Sequence, residues 1–265
     1  MSETAVTLAV DERGVATLTL DRPDKRNAFD DSIIAQLDAH LADVAANRDI
    51  RVLVLAATGK SFSAGADLGW MQRMAEYGEA ENLADARALA EMLRKLNTLP
   101  QPTIARVQGA AFGGAVGLVS CCDLAVGSSL ALFCLSEVRI GLIPATISPY
   151  VIAAMGSRAA RRYFTTAEVI DAEKAIELGL LSELVGVDDL DNAVEELVGK
   201  LLDNGPAAVR AAKKLVLDYS DREIDVELIE DSCVRIANIR VSEEGQAGLK
   251  AFLNKQDAPW RSGSV

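Results

Sequence analysis

The chain has 265 residues, half of them apolar and a quarter charged, with a net charge of −12. Such a length suits one large domain, or one domain with a small appendage, and buries a core without disulfide or metal staples. The acidity argues against a surface built for nucleic acid or anionic lipid, since both need a dense positive field.

In chain order, Val6–Val10 and Val15–Leu20 flank Asp11-Glu12-Arg13-Gly14, a β-hairpin pattern in which Gly14 is free to take positive φ. Asp30 or Ser32 then caps a helix whose apolar stripe is Ile33, Ile34, Leu37, Leu41 and Val44. Arg51–Ala57 reads as a buried strand. Leu83, Ala86, Leu89, Ala90, Leu93 and Leu96 give a second amphipathic helix, ended by Pro100 and Pro102. Thr103–Val107 is another buried strand, and the small-residue run Ala110–Asp123, AAFGGAVGLVSCCD, follows it. Leu124–Val126 and Leu130–Cys134 read as short strands. The expected order to about residue 140 is β, β, α, β, α, β, α, β, β. From Ser157 onward helical patterns dominate: Asp171–Leu178 closed by Gly179, Asp189–Leu202, one opened by Pro206, Asp221–Arg240 and Ser242–Asn254. We divide the chain into an α/β part, residues 1–200, and a helical region, residues 201–265.

The four cysteines form no CxxC pair, and apolar sequence surrounds all but Cys233. They read as buried free thiols of a reducing compartment. The only histidine, His40, lies far from them, which argues against a tetrahedral zinc site. The start, MSETAVTLAV, lacks a basic leader, and no long apolar window is present. The expectation is a cytoplasmic protein without a membrane span.

Three familiar motifs fail. Thr58-Gly59-Lys60-Ser61 ends like a phosphate loop, but Val54 stands where that loop needs glycine. Ser63 and Gly65 fit part of a nucleophile elbow, yet Ser61 replaces its first glycine and one distant histidine offers no triad. Gly109, Gly113, Gly114 and Gly117 are not spaced for a dinucleotide. What remains is two small-residue loops, Ser61–Gly69 and Gly109–Gly117, each after an apolar strand and before helical sequence. Either loop alone is readable as a tight strand–helix turn. Side by side, they can aim two backbone N–H groups at one oxygen that gains negative charge. Glu137, among apolar residues in CLSEVRI, is the candidate acid–base group. Spacing alone leaves it equally readable as an ion-pair partner for Arg139.

LDRPDKRNAF, FSAGADL, GAAFGGAVGLVSCCDLAV, SEVRIGLIPATISPY and EGQAGLKAFLNKQDAPW, in this order over nearly the whole chain, resemble the crotonase (enoyl-CoA hydratase/isomerase) superfamily. The resemblance implies an α/β fold with a ClpP-like ββα spiral core and a C-terminal helical trimerisation region. It implies a homotrimer or dimer of trimers acting on an acyl-CoA, with no metal or redox cofactor. Carried over by position, the N–H groups of Ala66 and Gly114 hold the thioester oxygen and Glu137 moves the proton. Lys25, Asn27, Ala28, Ala64, Asp67 and Leu68, with Arg22 held loosely, fall on CoA-contacting positions. In that reading Lys25 faces a phosphate, and the backbone near Ala28 and Ala64 reads the adenine. Phe252 and Lys255 match tail positions that reach a neighbouring subunit's ligand.

The chain departs from two-glutamate hydratases at Gly117, where those relatives carry a carboxylate. Two segments, FSAGADLGWM and LSEVRIGLIPATISPYV, look most like hydratases of branched substrates such as methylglutaconyl-CoA and isohexenylglutaconyl-CoA. Hydration of a 2-enoyl-CoA is therefore the expected activity. Δ3,Δ2-enoyl-CoA isomerisation with one glutamate is the alternative, and an acyl-CoA-binding paralogue with little turnover is the third reading. Thr146, Ser148 and Tyr150 are candidates to hold a water in place of the absent carboxylate. Trp70 and Met71 are candidates to wall the acyl pocket, or simply to fill the core.

Overall fold

The computed structural model describes residues 5–261. The hairpin forms as expected, with β1 (Val6–Val10) antiparallel to β2 (Val15–Leu20). Helix α1 (Asp31–Ala46) is capped by Asp30, whose carboxylate accepts from Ile33 N at 3.0 Å. Strands β3 (Val52–Ala57), β4 (Thr103–Val107), β6 (Leu124–Ser128) and β9 (Glu183–Val185) continue in parallel beyond β2. The six-stranded order is β1-β2-β3-β4-β6-β9.

The alternation along β3 explains why it reads as wholly apolar. Leu53 and Leu55 join the main core with α1, through Ile33, Leu37 and Leu41. Val52 and Val54 face the other way, onto Val194, Leu197 and Val198 of α7 (Leu190–Leu202). Both faces are covered, as a mostly parallel sheet requires. Each such side chain contributes about 1.5–3 kcal/mol on full burial.

A second, three-stranded sheet is ordered β5-β7-β8, from β5 (Ala110–Phe112), β7 (Leu132–Cys134) and β8 (Ile170–Asp171). The chain climbs in coils. It runs along a strand of the large sheet, crosses to the small sheet, then leaves through a helix. The second coil is β4, β5 and α4 (Gly114–Ser120), and the third begins β6, β7. The first coil is β3 and then Ser63, which makes a parallel bridge to Ala111 in place of a full strand. This is the ββα spiral expected from the sequence.

Several boundaries differ from expectation. The first loop opens into α2 (Leu68–Glu76), a separate helix before α3 (Glu79–Asn97). Asp67 stops the loop there by accepting from Gly69 N at 2.8 Å and Trp70 N at 3.3 Å. Strand β5 lies inside the small-residue run. Helix α5 (Ser148–Thr166) begins nine residues before Ser157, because Pro149 sits in its first turn, where a missing N–H costs nothing. Gly156, at φ 75°, kinks that helix, and the pattern after Ser157 is its second half. Helix α6 (Ala172–Leu178) is closed by Gly179 as expected.

Helices α8 (Pro206–Tyr219), α9 (Val226–Val241) and α10 (Glu243–Leu253) complete the chain, α9 starting five residues later than Asp221. Lys213 ties α8 to the spiral through Asp123 at 2.7 Å and Gln101 O at 3.1 Å. Glu244 on α10 caps α8 by accepting from Ala207 N and Ala208 N. All four cysteines are free thiols. Cys121 and Cys134 are buried and Cys122 half-buried, but Cys233 is exposed on α9, against the expectation of burial for all four. Among the described residues, no helix is long and apolar enough to cross a membrane.

Candidate functional site

Register builds the site. Ser63 pairs with Ala111, and Ala111 pairs with Phe133, so three successive coils share one row across the small sheet. The residue three positions beyond the row is Ala66 on the first coil, Gly114 on the second and Ser136 on the third, with Glu137 next. Two strands and the bridged Ser63, all in register, therefore deliver Ala66, Gly114 and Glu137 to one end of the sheet.

The first two loops touch. Ser63 N donates to Ala110 O and Phe112 N to Ser63 O, both at 3.0 Å. Gly65, at φ 90°, lies so close to the second loop that a Cβ would come within 2.8 Å of Phe112 O. Gly113, at φ 55°, turns the chain into α4, and its N–H donates to Cys134 O at 2.8 Å. Among the described residues, neither Ala66 N nor Gly114 N donates to a protein acceptor. Two free donors on adjoining loops can hold one oxygen that becomes negative.

Phe29 sets the spacing between the donors. Its ring lies against Gly114, where a Cβ would meet Cζ at 2.5 Å. Its backbone is threaded through the other loop, Phe29 N donating to Gly65 O at 2.9 Å and Asp67 N to Phe29 O at 3.0 Å. One buried aromatic thus braces both donor loops.

Glu137 opens a short 3-10 turn, Glu137–Ile140, after β7. Its Oε1 lies 3.4 Å from the place a Gly113 Cβ would occupy. Its Oε2 is buried without a hydrogen-bond partner. Burial pushes the Glu137 carboxyl above its ordinary range, opposed by its own backbone N–H. The ion-pair reading is disfavoured, because the Arg139 guanidinium donates to Ala167 O instead. Among the described residues, no cation pairs with Glu137.

Gly117, one turn along α4, is closed off. An added Cβ would overlap Ile147 Cγ2 and lie 2.7 Å from Ile147 Cβ. Ile147 is 2 % exposed. The place opposite Gly117 is thus filled by an apolar side chain, and one of the expected hydroxyls is committed elsewhere, Ser148 Oγ donating to Ala145 O at 2.8 Å. Trp70 belongs to the main core, and its indole N–H donates to Asp85 at 2.7 Å.

The remaining candidates separate into groups. Lys25 is exposed, 3.8 Å from the Asp67 carboxylate, and Arg22 lies 3.6 Å from the same group. Asp67 is occupied as the cap of α2. Asn27 is 1 % exposed, accepting from Arg22 N at 2.8 Å and donating to Thr58 O and Ser61 O at 2.8 and 3.0 Å. It ties two loops together from within. The N–H groups of Ala28 and Ala64 are committed to Lys25 O and Arg26 O. Leu68 is exposed beside the first loop. Phe252 and Lys255 lie apart from this group, at the end of α10, which packs on α8 and α9, and Phe252 is 80 % exposed. Sequence reading missed Phe29 and Ile147. Both act by filling space against a glycine, which leaves no mark in a linear motif. It also passed over Arg26, next to Lys25 in the chain, and Lys60 on the first loop's approach, both exposed and without carboxylate partners among the described residues.

A family model described as enoyl-CoA hydratase/isomerase matches residues 11–263. The chain is similar to a solved enoyl-CoA hydratase from Shewanella pealeana, at 48% identity and a TM-score of 0.93, covering 97% of this chain and 96% of that one. A solved Mycobacterium smegmatis enoyl-CoA hydratase is 32% identical, with a TM-score of 0.92 over 98% of this chain and 100% of that one. The short-chain-enoyl-CoA hydratase of Clostridium acetobutylicum is 28% identical over 92% of this chain and 93% of its own.

Proposed function

The chain belongs to the enoyl-CoA hydratase/isomerase family, and on that premise we propose that it adds water across the C2–C3 double bond of a 2-enoyl-CoA. One observation carries the reading: Ala66, Gly114 and Glu137 lie just beyond a single register row on three touching coils. The thioester oxygen sits between the two N–H groups. Ionised Glu137 takes a proton from water as the hydroxide oxygen bonds to C3. The C2–C3 π electrons shift toward the thioester, leaving an enolate whose charge rests on the two donors. Protonated Glu137 then returns its proton to C2, which restores the carboxylate and completes addition of one water. A carboxyl of raised affinity for protons suits both halves.

For the CoA part, Lys25, Arg26 and Lys60 offer positive charge to phosphates, and the Ala28 and Ala64 carbonyls offer acceptors to the adenine amino group. Phe252 and Lys255 serve a neighbouring subunit's ligand in a trimer or a dimer of trimers. The apolar residues exposed on the tail, among them Val226, Val241 and Leu253, support that assembly. A branched acyl chain and a cytoplasmic location belong to the same reading. They rest on the segment likeness and on the four free thiols.

The isomerase reading keeps one specific support: Glu137 stands without a second carboxylate, since Ile147 fills the place opposite Gly117. Proton removal at C4 and return at C2 needs only one such group. Supplying crotonyl-CoA and 3-hexenoyl-CoA side by side in D2O separates the two. Hydration of the first with loss of about 100-fold or more in Glu137→Gln is expected. Turnover of the 3-enoyl thioester alone would replace hydration with isomerisation. Near-normal turnover in Glu137→Gln would remove Glu137 from the chemistry.

A further inference from the structure

The segment that carries Glu137 runs past the start of α4 at two places. The Glu137 carboxylate lies beside Gly113, the residue that precedes the helix, with Oε1 3.4 Å from where a Cβ would stand, and one turn on Ile147 closes on Gly117. Between these contacts it is tied to itself, with Leu142 N donating to Glu137 O at 3.1 Å and Ala145 N to Ile143 O at 2.8 Å. Ile147 O then accepts from Tyr150 N and Val151 N as α5 begins. The apolar contact is therefore a fixed end, and the carboxylate is held at the near end of a short, internally braced loop. Glu137 Oε2 has no hydrogen-bond partner, and the carboxyl is held within its own residue only by the backbone N–H of Glu137.

We propose that Ile147 is a positioning residue for Glu137: seated by its Cγ2 on Gly117, it anchors the loop that holds the carboxylate beside Gly113. Gly117 and Ile147 work as one unit. The helix position must lack a side chain so that the β-branched residue can come this close. The inference rests on the reading of Glu137 as the proton-moving group and not on which product forms.

The groups around Glu137 are few. Cys134 on β7 has its thiol directed at Ala167 O at 3.4 Å, and Arg139 donates to the same oxygen. Tyr150 lies on α5, and α4 from Gly114 to Ser120 carries no carboxylate, imidazole or cation. A change in the titration of Glu137 on substituting Ile147 thus reports the placement of the carboxylate and the water around it.

The test uses the C2 protons of butyryl-CoA, whose exchange in D2O needs Glu137 and the two donors but neither hydration nor isomerisation. Ile147→Val keeps Cγ2, whereas Ile147→Leu keeps the volume and loses the β-branch. Ile147→Val is expected to exchange within about twofold of the parent, and Ile147→Leu to lose about 10- to 100-fold in kcat with little change in KM. A purely space-filling role predicts the opposite order, and that order would overturn the proposal. The Glu137 carboxyl, assigned by its loss in Glu137→Gln, is titrated by carbon NMR in each variant. Its titration should move toward the ordinary carboxylate range in Ile147→Leu, and an unmoved titration overturns the proposal. If the parent exchanges no faster than Glu137→Gln, the proton-transfer reading fails, while the NMR titration still decides the anchor. Should Ile147→Leu not fold, Gly117→Ala pushes the same contact from the helix side. A parental kcat and an unshifted titration in that variant would overturn the proposal.

Discussion

Replacing Gly114 with alanine tests whether both donor loops are braced by one ring. The added Cβ lands 2.5 Å from Phe29 Cζ and 3.2 Å from Cε2. Carbon atoms rest at about 3.5–4.0 Å, so the two must part by about 1 Å or more. Phe29 cannot simply swing away, since its N–H is bonded to Gly65 O and its carbonyl accepts from Asp67 N. If the ring yields, it drags the loop that holds Ala66. If α4 yields, the Gly114 N–H moves instead. Either route misplaces one donor. Losing one such donor costs about 100- to 1,000-fold in kcat, and a 1 Å error is worth a similar factor. Overpacking should cost about 1–3 kcal/mol of stability besides. Crotonyl-CoA hydration, followed through the conjugated thioester absorbance, should show kcat down about 100-fold, with KM changed far less. The melting temperature should fall by a few degrees. Phe29→Leu in the same chain removes the contacting ring edge and should restore part of both losses. A Gly114→Ala enzyme within about threefold of the parent would refute the bracing and the donor assignment together.

Glu137→Gln should melt higher than the parent at neutral pH. The folded carboxyl binds its proton more tightly than the unfolded one, so its contribution is full in acid and lost as pH rises through its raised value. The variant's advantage should therefore vanish below the ordinary carboxylate range, and an advantage confined to acid would contradict the burial argument. Parental turnover, needing the ionised form, should rise with pH through that same value. Asn27→Ala breaks three buried hydrogen bonds and puts alanine at φ 54°, so a loss of about 3 kcal/mol is expected in denaturant titration. A loss under about 1 kcal/mol would mean the side chain is not the latch between its loops. Gly117→Glu should lower crotonyl-CoA hydration, because its Cβ already overlaps Ile147. A gain in turnover would show that Ile147 yields readily and that the place beside Gly117 is open to a second carboxylate.

The strands and helices were legible where burial repeats with the backbone period. Leu53 and Leu55 against Val52 and Val54 gave a strand covered on both faces, and Ile33 to Val44 gave a helix with one buried stripe. Short pieces were not legible. Strand β5 is three residues that owe their shape to β7, and the start of α5 was hidden by a proline that first turns tolerate. The two loops and Glu137 were legible in the residues and family likeness singled out Ala66 and Gly114 within them, but their convergence depends on Ser63, Ala111 and Phe133 sharing a row, a long-range fact. Asn27 shows the reverse case: a position marked for ligand contact holds a side chain buried in a loop-to-loop latch.

The glycines carry the deeper reason. In sequence, Gly65, Gly113, Gly114 and Gly117 are the same letter in two small-residue loops. In the fold they answer to two different physical demands. Gly65 and Gly113 lie at positive φ, where a side chain is strained whatever the space around it. Gly114 and Gly117 are ordinary helical residues, emptied so that Phe29 and Ile147 can press on the helix that carries a donor. Conformational need is local and can be guessed from a turn. Close approach is set by a residue far away in the chain, so it becomes visible only when the partner is in place. The second pair also offers a sharper experiment. A partner can be trimmed to readmit a side chain at Gly114 or Gly117, whereas no distant substitution relieves the backbone strain at Gly65 or Gly113.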